Sequence, residues 1–390
     1  MSERELPSTE ALFNIMSTLH TLGFSAVTRY TTPSKLVATA ELFDHNDNLV
    51  ESGAGKGLDS LIGALAEGIE HFSTFQPPEE ETTWDHSDNI STQKAVAEDG
   101  FFTSLPPSEK PIECFKLTSL DKKEILFVPR TLLCPNPSTN TDKGDSSTLS
   151  FLSRYSSNSG IAFGCTKNEA LLHGALEVIE RHILSLFFMT VCGLGPTIKL
   201  YTPSTALIER ALLNYPGAPT SVSGLRIIII KDVLSVYFAV AFPKAGPGAH
   251  HLSPIGSGCS LNIDTAIQRA VTEQLQSEDL YGPTEEFLDR KTLDLLSESR
   301  QLKNLIDFAP VRSAILSVLD CPLHEHIETV PSQLDTLHKS LENEGRKIFY
   351  RTVTRFSCNS IVTQTYIPGL ERFNIIRNGR LVVPQHVLRS

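Results

Sequence analysis

An excess of basic charge is the first thing this sequence does without. Lysine and arginine number 34 against 45 aspartates and glutamates, a formal net charge of -11. The acids are spread along the chain, which argues against a nucleic-acid binder with a general basic field and against adhesion to anionic membranes. A local basic groove stays open. Long apolar runs are missing too: nothing approaches the roughly 18 residues of a membrane span. The best stretch, Ile183 to Leu194, reads as the buried end of a helix. The start, Met1-Ser-Glu-Arg-Glu-Leu6, has no apolar core, so no signal peptide is read. Seven cysteines are scattered without a C-x-x-C or an even framework, which excludes zinc spacing and a disulfide scaffold. They are expected as buried thiols in a reducing, cytoplasmic setting. There is no G-x-x-x-x-G-K-[ST] loop, and no Ser-His-Asp set stands out.

What is present is enough chain, 390 residues, for one large domain or two to three smaller ones. Pro77 to Ser91 and Cys134 to Ser147 read as exposed loops, the second long enough to serve as a lid. Lys35 to Phe43 reads as strand, and Leu225 to Pro243 as two paired, central strands around Lys231-Asp232. Leu334, Leu337 and Leu341 give Gln333 to Glu344 helical spacing, with a strand following from Lys347 to Thr354. Strand and helix do not alternate as in a doubly wound fold. The expected class is α+β, helices laid on antiparallel sheet.

A repeat appears when the glycine-rich segments are aligned. Gly53-Ala-Gly-Lys-Gly-Leu-Asp-Ser60, Ser159-Gly-Ile-Ala-Phe-Gly-Cys-Thr166 and Gly256-Ser-Gly-Cys-Ser260 each lead into a helix. Asp59 or Ser60, a Thr166/Glu169 capping box, and Asp264 are the expected caps. Inside the helices stand Ala64-Leu-Ala-Glu67-Gly-Ile-Glu70, Gly174-Ala-Leu-Glu177-Val-Ile-Glu180 and Ala270-Val-Thr-Glu273-Gln-Leu-Gln276. Positions i and i+3 share a face, and the Ile or Leu points roughly opposite. The small residue lies on the polar side, where it would let something approach the backbone.

For one helix alone, a solvated acidic face is the simpler reading. Three copies of one pattern favour convergence. Carboxylates brought together in a partly buried place must be neutralised, and a hard cation with oxygen ligands, Mg²⁺, is the usual means. Mg²⁺ keeps waters and bridges to phosphate, which points to a nucleotide. Glycines admit phosphate to backbone N–H groups, and helix N-termini favour it. Lys56 offers a point charge; Arg181 and Arg269 are further phosphate candidates, with an intrahelical Arg181–Glu177 bridge as the alternative. His71, His173 and His182 are read as packing or surface residues.

Ser156-Ser-Asn-Ser-Gly-Ile-Ala-Phe-Gly164 followed by E-A-L-L-H-G-A-L-E-V-I-E-R resembles the central signature of the YcaO family. Gly55-Lys-Gly with A-E-G-I-E resembles its first motif, R-A-V-T-E-Q-L-Q-S its third, and Ile367-Pro-Gly-Leu370 a segment near its C-terminal end. The resemblance implies an atypical ATP-binding fold over residues 53–390, with 1–52 as part of the same fold. It implies Glu67, Glu70, Glu177, Glu180 and Glu273 as Mg²⁺ or nucleotide ligands with Gln276 beside them, Arg181 and Arg269 facing the phosphates, and Asn158 lining the pocket.

The activity implied is ATP-dependent activation of a peptide amide oxygen in a ribosomally made precursor. The leading expectation is a cyclodehydratase, in which Cys, Ser or Thr side chains attack and azolines form; the alternative is an outside nucleophile, giving thioamides or amidines. An ATP-binding accessory factor for ribosomal-protein methylthiolation is a third expectation. The chain departs from the family at Cys165, at Glu278 and in a proline-poor end, Val383-Pro-Gln-His-Val-Leu-Arg-Ser390, which weakens the azoline reading. Expected partners are the precursor peptide, a separate leader-binding protein because no stretch before Gly53 suffices for one, a flavin-dependent oxidase and a second copy in a homodimer.

Overall fold

The computed structural model of the chain describes residues 3–75, 82–135, 146–217, 222–322, 328–356 and 358–389. Three sheets carry the architecture. β1 (Ser25–Tyr30), β2 (Val37–Phe43) and β3 (Leu49–Lys56) form an antiparallel meander. The second sheet has the order β4-β5-β13-β14-β7, with β6 beside β5. Its strands are β4 (Thr82–Asp85), β5 (Ile112–Ser119), β6 (Ile125–Pro129), β7 (Ile161–Gly164), β13 (Phe349–Arg355) and β14 (Ile361–Tyr366), all antiparallel. The third runs β11-β10-β9-β8-β12 and is parallel only where β12 (Ser317–Leu319) meets β8 (Tyr201–Pro203). Mixed helix and antiparallel sheet is the class that the sequence predicts.

The paired strands are β9 (Leu225–Val233) and β10 (Val236–Pro243), inside their sheet as their apolar faces require. Their turn falls at Leu234 and Ser235, both at positive φ (52° and 55°), rather than at Lys231-Asp232. Two left-handed residues match the twist of a tight hairpin, so this turn was not signalled by the usual Asn-Gly. Helix α1 (Ser8–Leu22) and β1 precede the strand read from Lys35, and neither was foreseen. The stretch read as a loop from Pro77 contains β4 and a short helix, Ser87–Ser91, while 76–81 lie outside the described residues. Residues 136–145, the core of the second loop, also lie outside them; a helix starts at Ser146.

Three helices follow strands in the same way. α2 (Ser60–Phe75) follows β3, α3 (Lys167–Cys192) follows β7, and α4 (Ile263–Asp279) follows β11 (Gly256–Ser260). The segments expected as glycine turns are therefore mostly strand. Helix α3 is the central beam: Ile179, Ile183 and Phe187 are fully buried, and its end packs Phe187 and Phe188 on Phe308. That core explains the apolar run from Ile183. α5 (Pro283–Ser297) and α6 (Val330–Asn343) cover the periphery, α6 turning Leu337 and Leu341 inward. Among the described residues no helix is long and apolar enough to cross a membrane.

Candidate functional site

Each helix lies directly on the backbone of the strand before it. A Cβ on Gly55 would meet the Ser60 carbonyl at 1.7 Å, and one on Gly256 the Ala270 carbonyl at 2.1 Å. On Gly174 it would meet the Gly160 carbonyl at 2.6 Å. What approaches the backbone at these small residues is the chain's own strand. The caps differ as well. Thr166 accepts from the Glu169 N–H at 3.3 Å as expected, but Asn262, not Asp264, caps α4, accepting from the N–H groups of Asp264 and Thr265. Asp264 pairs instead with Arg210, and Asp59 with Arg4.

The close packing fixes the carboxylates. Within a motif, the Ala54 N–H donates to Glu67 at 2.5 Å and the Gly160 N–H to Glu177 at 3.0 Å. Between motifs, the Phe163 N–H of β7 donates to Glu70 of α2 at 2.7 Å. Ser257 Oγ and the Cys259 N–H of β11 donate to Glu180 of α3 at 2.6 and 3.1 Å. Lys56 Nζ of β3 donates to Glu273 of α4, which closes the ring. First motif holds second, second holds third, third holds first.

Lys56, Glu67, Glu70, Asn158, Glu177, Glu180, Arg181, Arg269 and Glu273 all line one cavity of about 300 Å³. Of the predicted site residues only Gln276, one turn beyond Glu273, is outside its lining. Five carboxylates there face three cations. Burial, with the charges of Glu67 and Glu177 adding to it, pushes Glu70 well above the ordinary carboxylate range. Burial likewise raises Glu177, although Arg181 pulls the other way. Burial opposes the charge of Arg181, but Glu180, Glu273 and Glu177 outweigh it and hold the guanidinium protonated. The intrahelical bridge from Arg181 to Glu177 is loose, at 3.9 Å. His173 lines the cavity rather than the surface, its pKa lowered to about 4 by burial and then by Arg269, so it adds no positive charge at neutral pH. His182 is a packing residue, accepting the Glu371 N–H at 2.9 Å.

Two further chambers share walls with this one. An inner chamber of about 330 Å³ shares Asn158, Glu177, Arg181 and Glu273, and adds Asn374 and Arg377. An outer one of about 580 Å³ shares Lys56, Glu67, Glu70, His173 and Arg269. Asn374 and Arg377 sit on a short 3-10 helix (Phe373–Asn378) with no periodic signal, and sequence reasoning missed them. Arg377 is half-buried, its covered Nε without a hydrogen-bond partner among the described residues, and desolvation lowers its pKa to about 10. Of the departures, Cys165 is a buried thiol beneath α1, pushed up to about 12 by burial, and Glu278 accepts from Gln274.

The residues suit a hydrated divalent cation carried by a phosphate compound. Among the described residues no three acidic, histidine or cysteine side chains form a ready metal cage. Mg²⁺ does not need one, since it keeps waters and takes one or two carboxylates besides phosphate oxygens. A desolvated Glu70 gains most from such a charge. The family described as YcaO cyclodehydratase, ATP- and Mg²⁺-binding, matches residues 54–371. The chain belongs to the YcaO family. Its cofactors are ATP and Mg²⁺. An uncharacterized protein of Methanothermobacter thermautotrophicus is 26% identical over 345 residues, 84% of each chain. The YcaO structure from Methanopyrus kandleri, bound with AMPPCP and Mg²⁺, is 17% identical with a TM-score of 0.63 and covers 97% of this chain and 95% of that one. A chain of the E. coli microcin synthetase McbBCD complex is also 17% identical, with a TM-score of 0.58, over 92% and 95% of the two chains. At these identities the two structures share the YcaO fold.

Proposed function

We propose that this YcaO protein uses ATP to activate a backbone amide of a ribosomally made precursor peptide. The observation that carries the reading is the ring of carboxylates and cations standing between two chambers. In it, Glu67, Glu70, Glu177, Glu180 and Glu273 hold Mg²⁺ and its waters. Lys56, Arg181 and Arg269 take phosphate oxygens, and Asn158 lies where the ring meets the inner chamber. The peptide amide enters from the inner chamber, where Asn374 and Arg377 meet its carbonyl groups. Bound Mg-ATP supplies a phosphoryl group to the amide oxygen, releasing ADP and turning that oxygen into a leaving group. The residues of the ring contribute by position and charge, which is most of what phosphoryl transfer asks of a protein.

Attack by a neighbouring Cys, Ser or Thr side chain gives an azoline, with the oxygen leaving as phosphate. An outside nucleophile in place of that side chain would give a thioamide or an amidine. The E. coli chain of like fold belongs to the McbBCD complex, described also with pro-MccB17 bound, which supports a precursor peptide and partner proteins here. We therefore expect purified chain, peptide and Mg-ATP to react fully only when a leader-binding partner is added; full modification without one contradicts that.

The test of function is ADP release with and without precursor peptide, scored with the peptide's mass. Loss of water marks an azoline and exchange of oxygen for sulfur a thioamide. ADP release that ignores every peptide supports an accessory factor instead. Glu180→Gln keeps its oxygen for the Cys259 N–H, can turn its amide N–H to the Ser257 hydroxyl, and removes the charge, so ADP release should fall at least about tenfold in a folded variant. Normal turnover removes Glu180 from the site.

A further inference from the structure

The N-terminal segment enters the outer chamber and ties itself to all three motifs. Arg4 bonds Asp59 of the first at 2.8 Å. Thr166 of the second donates to Glu5, and His173 Nε2 meets the Glu3 carbonyl at 3.0 Å. From the third, Ser260 Oγ donates to Glu3 at 2.6 Å and Arg269 Nη2 donates to the other oxygen of the same carboxylate. Glu3 is an acid almost entirely removed from solvent, with 5% of its side chain exposed.

That contact uses the group a phosphate would need. Arg269 spends Nη1 on the Cys259 carbonyl at 2.9 Å and Nη2 on Glu3. A guanidinium offers carboxylate and phosphate the same fork, so the two anions compete for one face. The surroundings also give Glu3 little reason to stay beside a phosphate, since Glu180 and Glu273 already bear on Arg269. We propose that Glu3 is a displaceable anion latch: its carboxylate occupies the phosphate position on Arg269 until a nucleotide phosphate exchanges for it. The proposal rests on the ATP reading of the ring. It makes nucleotide affinity depend on the fraction of molecules in which the latch is open, the apparent dissociation constant rising as that fraction falls.

Calorimetric titration with Mg-AMPPNP tests it in the full chain, on the parent, on Glu3→Gln and on Glu5→Gln. Glu3→Gln keeps the segment's shape and lowers its hold on Arg269; it should bind about fivefold more tightly or better. Glu5→Gln loosens the same segment at Thr166 without touching Arg269 and should bind as the parent does. Equal or weaker binding by a folded Glu3→Gln overturns the latch, and so does an equal gain in Glu5→Gln. If the parent binds no Mg-AMPPNP, the ATP reading falls and the latch with it. A second measurement needs no variant: trypsin should cut after Arg4 faster once Mg-AMPPNP is bound to the parent. An unchanged or slower cut overturns the proposal even where Glu3→Gln does not fold.

Discussion

At the scale of single residues, the site places charge where the bare protein would rather not have it. Glu70 accepts one backbone N–H and lies half-buried on the cavity wall with Glu67 and Glu177 nearby. Its folded-state pKa lies well above that of an unfolded chain. Its contribution to stability is therefore full below the ordinary carboxylate range and is lost as pH rises through the raised value. Above the ordinary carboxylate range the metal-free fold carries that cost. Glu70→Gln keeps an acceptor for Phe163 and removes the charge, so its metal-free form should melt about 2 °C or more above the parent at pH 8. The gain should shrink on acidification towards pH 4. Comparing variant with parent cancels Glu169 and Glu371, raised to about 7 by burial elsewhere. The same variant should show a smaller rise in melting temperature with Mg-AMPPNP. A metal-free variant that melts below the parent at pH 8 contradicts the electrostatic account of Glu70.

At the scale of elements, the recurring unit is a strand with glycines in it and a helix lying on its backbone. The spacing of Glu67 and Glu70, or of Glu177 and Glu180, was readable because i and i+3 share a helical face. The partners of Glu70, Glu180 and Glu273 were not, because Phe163, Cys259 and Lys56 each come from a different motif. Asn262 went unread as a cap because Asp264, just beyond it, is as good a capping type. Gly256 tests the packing. A Cβ there would sit 2.1 Å from the Ala270 carbonyl and 2.2 Å from the Gln274 N–H nitrogen, both backbone atoms that cannot swing aside. Gly23, by contrast, has positive φ and open space around it. Gly256→Ala should cost about 2 kcal/mol or more in a urea melt, since α4 must lift and take Arg269 and Glu273 along. Gly23→Ala should cost about 1 kcal/mol, from backbone conformation alone. Equal costs contradict the view that helix and strand are in direct backbone contact.

At the scale of the molecule, three motifs separated by about a hundred residues each close on one another as a ring. The family and the acid-bearing helices were legible in the sequence because both depend on local order. Glu3, Asn374 and Arg377 were not, because they reach the chambers from the two far ends of the chain through tertiary packing alone. The central claim is that the five carboxylates act together on one metal–nucleotide complex. The most direct measurement is an anomalous difference map from crystals grown with Mn²⁺, standing in for Mg²⁺, and AMPPNP. The account expects the metal peaks inside the ring, within coordination distance of oxygens from at least two of α2, α3 and α4. Peaks only outside that cavity, with nucleotide bound elsewhere, would contradict it.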